Sequence, residues 1–346
     1  MPSSLKANLF LIFTGAFFVL QNTCLHGSVW ICGGKIVEAS EASDFDFTFE
    51  EEKKLDESLD RIRRDLVNET LDVSSHQSEC NETLIFHYLE EYKLQEAVWL
   101  ISDCGYETVQ KQLEKVLWNY LKKGTVIRIQ PLGGGATTTR LAVFGNGTKQ
   151  SHQIKAVYKP AQSNLSSNPR SEEGCSVLDR LLGTNLVPMT VQRDLDRSGS
   201  KGSVQYFVRD TTPIASLPPE QRTKSPEMLI FDFWTKNIDR HHENYLWHPV
   251  LKKMIGIDNG WALRGGHFFA SIKGHFVDKR SPDEKNMKFP SGVYPDKSWY
   301  DKLKQLDDDQ IRSALKGIVC DASIELLLGR KKGVLTALKK SVGRQI

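Results

Sequence analysis

Two carboxylates and an amide, Asp239, Asn244 and Asp258, lie close together in the chain. They stand in the run Asn237-Ile-Asp-Arg-His-His-Glu-Asn-Tyr-Leu-Trp247 and the following Met254-Ile-Gly-Ile-Asp-Asn-Gly260. An ionised Asp can take a proton or ligate a hard cation, and an Asn carbonyl can complete such a ligand set. An Asp, an Asn five positions later and a second Asp about 20 residues on is the order in which phosphoryl transfer needs them. The first orients an acceptor hydroxyl and takes its proton; the Asn and the second Asp bind Mg2+ or Mn2+. His241 and His242 suggest zinc, but no further His at helical ligand spacing and no nearby Cys completes a zinc set.

Two further groups suit a nucleotide. The first is Pro131-Leu-Gly133-Gly134-Gly135-Ala-Thr137. Glycines let backbone N–H groups approach phosphate oxygens, although a tight hairpin would need the same residues. The second is Lys159, at the end of an apolar strand pattern, with Glu172 or Glu173 at the start of the next helical pattern. A strand lysine that holds phosphates, fixed by a helix carboxylate, is the companion of the Asp–Asn–Asp set.

Elements that could position these residues follow from periodicity. Strand patterns rich in Val, Ile and Thr cover 125–130, 139–144, 153–159 and 204–208. Between the last two lies a helix from about Glu172 to Leu182, with Ser171 as its expected N-cap and Gly183 as its stop. Residues 211–224, with Pro213, Pro218 and Pro219, read as a crossing between lobes. Ser225-Pro226 then opens a helix, and 245–247 with 254–257 form a hairpin that brings both Asp residues to one edge. Upstream, Leu55, Leu59, Ile62 and Leu66 recur at helical spacing, as do apolar residues over 84–101 and 106–121. From Lys297 onward the chain reads as mainly helical.

The motifs together resemble a known group. Lys159-Pro160, Glu172 with Leu178-Asp179-Arg180-Leu181-Leu182-Gly183, Val187-Pro188, Asp239-Arg240-His241-His242 and Asp258-Asn259-Gly260 are similar to the secretory-pathway atypical kinases. That group is typified by the Golgi casein kinase and the glycosaminoglycan xylose kinase. A more distant similarity is to phosphatidylinositol 3- and 4-kinases. The resemblance covers about residues 133–263, and it selects Glu172 over Glu173 as the partner of Lys159. Asn244 stands where the casein-kinase relatives carry an acidic residue, and their later cysteine pairs are absent. The resemblance implies an α+β, bilobal protein-kinase-like fold: a small antiparallel β-lobe with one helix, then a larger, mainly helical lobe. It implies ATP with Mg2+ or Mn2+ as cofactor and a secreted protein or a glycan as acceptor. A lipid acceptor, or a pseudokinase acting as activator or scaffold, is the alternative.

Length and composition agree with two folding units. The chain has 346 residues, 39% of them hydrophobic, with 46 basic against 43 acidic side chains. That near balance lacks the dense basic stripe that nucleic acids require, so none is expected as a partner. Lys6 and the apolar run Ala7–Leu20 read as a secretory signal or signal anchor, too short for an ordinary membrane span. Four sequons, at Asn68, Asn81, Asn146 and Asn164, are glycosylation candidates. Six cysteines allow disulfides in an oxidising compartment. The expected organisation is 1–32 signal or anchor, 33–123 N-terminal helical extension, 124–212 N-lobe and 213–346 C-lobe. The expected location is the Golgi lumen or outside the cell, or a bacterial envelope if the source is not eukaryotic.

Overall fold

The computed structural model describes residues 29–32, 35–38, 49–72, 80–133, 138–145, 153–161, 168–219, 222, 225–263 and 297–342. The apolar run Ala7–Leu20, Gly134, Gly135, Asn146 and Asn164 lie outside them. Strands β1 (Val29–Cys32) and β2 (Lys35–Glu38) pair antiparallel. Four helices follow: α1 (Phe49–Asp72), α2 (Glu82–Glu90), α3 (Leu94–Asp103) and α4 (Glu107–Lys123). The single helical stretch expected over 84–101 is two helices. Tyr92, at φ 54°, takes the left-handed conformation between them, which no helix continues through. Cys80 and Cys104 form a disulfide, so the start of α2 is bonded to the end of α3.

A five-stranded antiparallel sheet comes next. Its strands are β3 (Val126–Pro131), β4 (Arg140–Phe144), β5 (Ile154–Lys159), β6 (Thr190–Arg193) and β7 (Gly202–Tyr206), in the order β3-β4-β5-β7-β6. Strand β6 gave no usable sequence signal: it is four residues long and ends in Gln192 and Arg193. Along β5 the period of two sends Ile154, Ala156 and Tyr158 into the core. Lys159 therefore projects from the opposite face. The residues that β5 buries share one apolar cluster with Leu59, Ile62, Leu66, Trp99, Leu113 and Leu117 of the preceding helices.

Helix α5 (Pro169–Leu182) lies between β5 and β6 in the chain. Its N-cap is Asn168, which accepts from Arg170 N, and not Ser171 as the sequence suggested. Pro169 takes the first helical position, where a missing N–H costs nothing. That shift places Ser171 inside the helix, where its hydroxyl donates to Ala262 O at 2.6 Å. Gly183 ends α5 in the left-handed conformation, φ 59°. Asp179 then accepts from Leu186 N, Val187 N and the Thr184 hydroxyl, which ties the following turn back onto the helix.

The described residues from Thr212 onward build most of a second core. Strand β8 (Thr212–Pro213) pairs with β9 (Tyr245–His248), which pairs with β10 (Lys253–Gly256). Helix α6 (Pro226–Thr235) opens at Ser225, which accepts from Met228 N as its cap. Helices α7 (Lys297–Gln305), α8 (Asp308–Leu315) and α9 (Asp321–Val342) complete it. Phe231, Trp234, Leu303, Ile311, Leu327 and Leu338 are buried here together with Cys175, Leu178 and Leu182 of α5. The architecture is α+β in two lobes; α5 packs against β6 and β7 of the sheet, and its Cys175, Leu178 and Leu182 also enter the second core.

One close approach holds Lys159 in register. Ser203 of β7 pairs with Lys159. At the neighbouring Gly202 an added Cβ would overlap the Lys159 carbonyl oxygen and lie 2.6 Å from Tyr158 Cε2 and 2.9 Å from Pro160 Cα. Backbone cannot give way as a side-chain tip can. Gly202→Ala should therefore destabilise the protein by about 1–3 kcal/mol, the usual cost of overpacking. Thermal unfolding would show this as a lowered Tm; an unchanged Tm would mean that β7 does not press on Lys159.

Candidate active site

The end of β5, the first turn of α5 and the turn after β10 converge on Lys159. Its Nζ lies 2.8 Å from Glu172 Oε1 and 2.8 Å from Asp258 Oδ1. The second oxygen of Glu172 accepts from the backbone N of Asn259 at 2.9 Å. Glu172 thus holds both the lysine and the backbone next to Asp258. Glu173 turns elsewhere and accepts from Gln192 Nε2 at 2.5 Å.

Exposure differs sharply across this triad. The side chains of Glu172 and Lys159 are 2% and 11% exposed, whereas that of Asp258 is 33% exposed. The carboxylate of Asp258 is the one that an incoming ligand can reach. Burial works against the charge on Lys159, but Glu172 and Asp258 outweigh it and hold the amine above the ordinary lysine range. Burial likewise pushes the Asp258 carboxyl up, and the Lys159 ammonium more than offsets this, so the group stays below its usual value. Asp258 has φ 57°, a left-handed conformation that Asp and Asn tolerate better than most residues.

Asp239 and Asn244 come from the loop between α6 and β9. Asp239 N donates to Asn237 Oδ1 at 3.1 Å. Asn244 Nδ2 donates to Asp239 O at 2.8 Å and lies 3.2 Å from His241 Nε2. With Nδ2 held in this way, Oδ1 is the end of the amide left for a cation. Burial raises the Asp239 carboxyl above its ordinary value, the nearby Asp258 charge adds to that, and His241 and Arg240 partly offset it. A carboxylate raised in this manner is a better proton acceptor than an exposed one.

The hairpin expected from 245–247 and 254–257 is present as β9 and β10, with Tyr245 opposite Gly256. Ile257 N donates to Asn244 O at 3.1 Å, which joins the loop of Asp239 to the turn of Asp258. Gly133 is described, with φ 74° and open space where a Cβ would stand. Asn68 and Asn81 are exposed, on α1 and at the cap of α2. The cap uses Asn81 Oδ1, which accepts from Leu84 N, so a glycan on Nδ2 would leave it intact.

Sequence reasoning gave no role to three contributors, although Arg240 and Asn259 stand within the motifs that carry the resemblance. Asp232 and Asn259 are buried, and Arg240 joins them. Asp232 carried a signal of its own, a carboxylate in the middle of the apolar helix Pro-Glu-Met-Leu-Ile-Phe-Asp-Phe-Trp-Thr, where a buried charge demands a partner.

No protein-family model and no curated protein matches the chain. Solved structures similar to it include Fam20 of hydra with sugar, at 15% identity and TM-score 0.46 over 68% of this chain and 90% of that one. The Golgi casein kinase is similar at 13% identity and TM-score 0.48 over 89% and 94%. The proinflammatory kinase CtkA of Helicobacter pylori is similar at 12% identity and TM-score 0.40 over 64% and 96%.

Proposed function

We propose that this chain is an ATP-dependent phosphotransferase of the secretory pathway that moves the γ-phosphoryl group to a hydroxyl of a protein or glycan. The observation that carries the reading is Lys159 held at 2.8 Å by both Glu172 and Asp258, on the sheet face turned away from the N-terminal helices. A buried ammonium fixed between two carboxylates is ready for phosphate oxygens and costs little reorganisation when they arrive.

In this reading Lys159 binds the phosphates and Glu172 fixes Lys159. Gly133, at φ 74°, suits a close backbone approach to the phosphates, the role the sequence gives to the glycines 133–135. Asp258 and Asn244 suit Mg2+ or Mn2+, because both offer oxygen and Asp258 is the accessible carboxylate. When bound, the cation neutralises charge on the phosphates. Asp239 orients the acceptor hydroxyl and takes its proton as the oxygen bonds to Pγ and the bond from Pγ to the bridging oxygen breaks, releasing ADP.

The test is purified protein with labelled ATP and Mg2+ or Mn2+, offered casein, proteoglycan linker sugars and phosphoinositide in parallel. Labelled casein or linker sugar is the expected product. Label on phosphoinositide alone would reassign the acceptor to lipid, and no label on any acceptor would favour the pseudokinase alternative.

The secretory location has its own expected result. Expressed in a secretory eukaryotic cell, the protein should shift in gel mobility on glycosidase treatment, and Asn81→Gln should lose part of that shift. An unglycosylated cytosolic product would remove the secretory assignment and leave the chemistry standing.

A further inference from the structure

Arg240 follows Asp239 in the chain, yet its side chain turns inward and is 5% exposed. Nε donates to both oxygens of Asp232, at 3.2 and 3.0 Å, and Nη2 donates to Asp232 Oδ1 at 3.1 Å. Nη1 donates to Asn244 O at 2.8 Å and to Ile257 O, and Nη2 reaches Asn259 Oδ1. One guanidinium thereby spans α6, the loop of Asn244 and the turn on either side of Asp258. Gly256 leaves the room for it, since a Cβ there would lie 3.2 Å from Nη2 and 2.6 Å from Met228 Cε.

Burial pushes the Asp232 carboxyl up, and Arg240 only partly offsets this. Such a pair is weak evidence for net stability, because desolvating two charges can cost as much as their attraction returns. Its donors, however, end on the carbonyls of Asn244 and Ile257 and on the side chain of Asn259. Those residues are, or directly adjoin, the two groups that the proposed function assigns to a cation.

We infer that the Arg240–Asp232 pair is a positioning device that sets Asn244 and Asp258 at the separation a divalent cation needs. The inference rests on the phosphotransferase reading. A lysine could not replace the arginine, because its three donors leave one point and cannot reach an oxygen pair and two carbonyls at fixed angles.

The test needs no acceptor. Binding of ATP to the full chain is followed while Mn2+ or Mg2+ is titrated, for the unaltered protein, Arg240→Lys, the nearly isosteric Asp232→Asn, and Leu338→Ala. Leu338 lies buried in α9 in the second core and serves as a purely structural control. Arg240→Lys and Asp232→Asn should raise the half-saturating metal concentration by about 10- to 100-fold, as expected for groups that orient ligands. Leu338→Ala should lower Tm and leave that concentration unchanged.

Should Arg240→Lys fail to fold, Asp232→Asn decides. A lowered Tm with an unaltered metal requirement in the variants would overturn the positioning role while leaving the proposed function intact. Absence of metal-dependent ATP binding by the unaltered protein would overturn both.

Discussion

Asp258→Asn should abolish metal-dependent ATP binding, whereas Asp239→Asn should keep that binding and lose turnover. The first change removes the accessible carboxylate of the triad and the charge that faces Lys159 Nζ at 2.8 Å. Losing a direct ligand should exceed the roughly 10- to 100-fold loss of metal affinity typical of an outer partner. Asn is the right replacement because it also tolerates the left-handed backbone at this position, φ 57°, so that the turn survives. Asp239→Asn keeps the shape of the side chain but cannot take a proton. A positioned base contributes on the order of 100- to 10,000-fold, and the loss should fall on kcat. Thermal-shift titration with ATP and metal, read beside turnover, reports both quantities. Loss of ATP binding in Asp239→Asn with retention in Asp258→Asn would reverse the two roles.

Lys159 and Glu172 should behave as one unit. Lys159→Ala and Glu172→Gln each disable the same arrangement, so turnover in the double variant should be little worse than in the weaker single one. For residues in direct contact the interaction free energy is about 0.5–3 kcal/mol. Glu173→Gln is the matched control, since Glu173 faces Gln192 rather than the lysine. Its turnover should stay near that of the unaltered protein. Additive losses for Lys159 and Glu172, or a large loss for Glu173→Gln, would mean that the carboxylate that matters has been misidentified.

The α+β class, the order of the strands around the glycine run and the hairpin after Asn244 were legible because they rest on local periodicity and turn chemistry. The convergence of Lys159, Glu172 and Asp258 was legible in part, through the resemblance that chose Glu172. What stayed hidden is long-range. Ser171 looked like a cap from its place before a helical pattern, but Asn168 with Pro169 opens the helix one turn earlier. Only the approach of Ala262, 91 residues away, explains the Ser171 hydroxyl. Strand β8 is two residues long and exists through its pairing with β9, which no local pattern announces. The packing of α4 against β6 and β7, with α1 and α3 in turn against α4, is of the same kind. Amphipathic helices reveal that they cover something, and Trp99 and Leu113 share one buried apolar cluster with Ala156 and Tyr158 of the sheet.

The same distance dependence explains Arg240. In sequence it is one basic residue in a polar loop, and its partners Asp232, Ile257 and Asn259 are 8, 17 and 19 positions away. The carboxylate in an apolar helix was a local sign that such a partner had to exist.

The central claim is transfer of the terminal phosphoryl group, and label position tests it most directly. Purified protein is incubated with casein or proteoglycan linker sugars, Mn2+ or Mg2+, and ATP labelled either at the γ or at the α phosphorus. Label should reach the acceptor from γ-labelled ATP alone, and both Asp239→Asn and Asp258→Asn should abolish it. Transfer from α-labelled ATP would show attack at a different phosphorus and contradict the assignment, as would γ-transfer that persists in both variants.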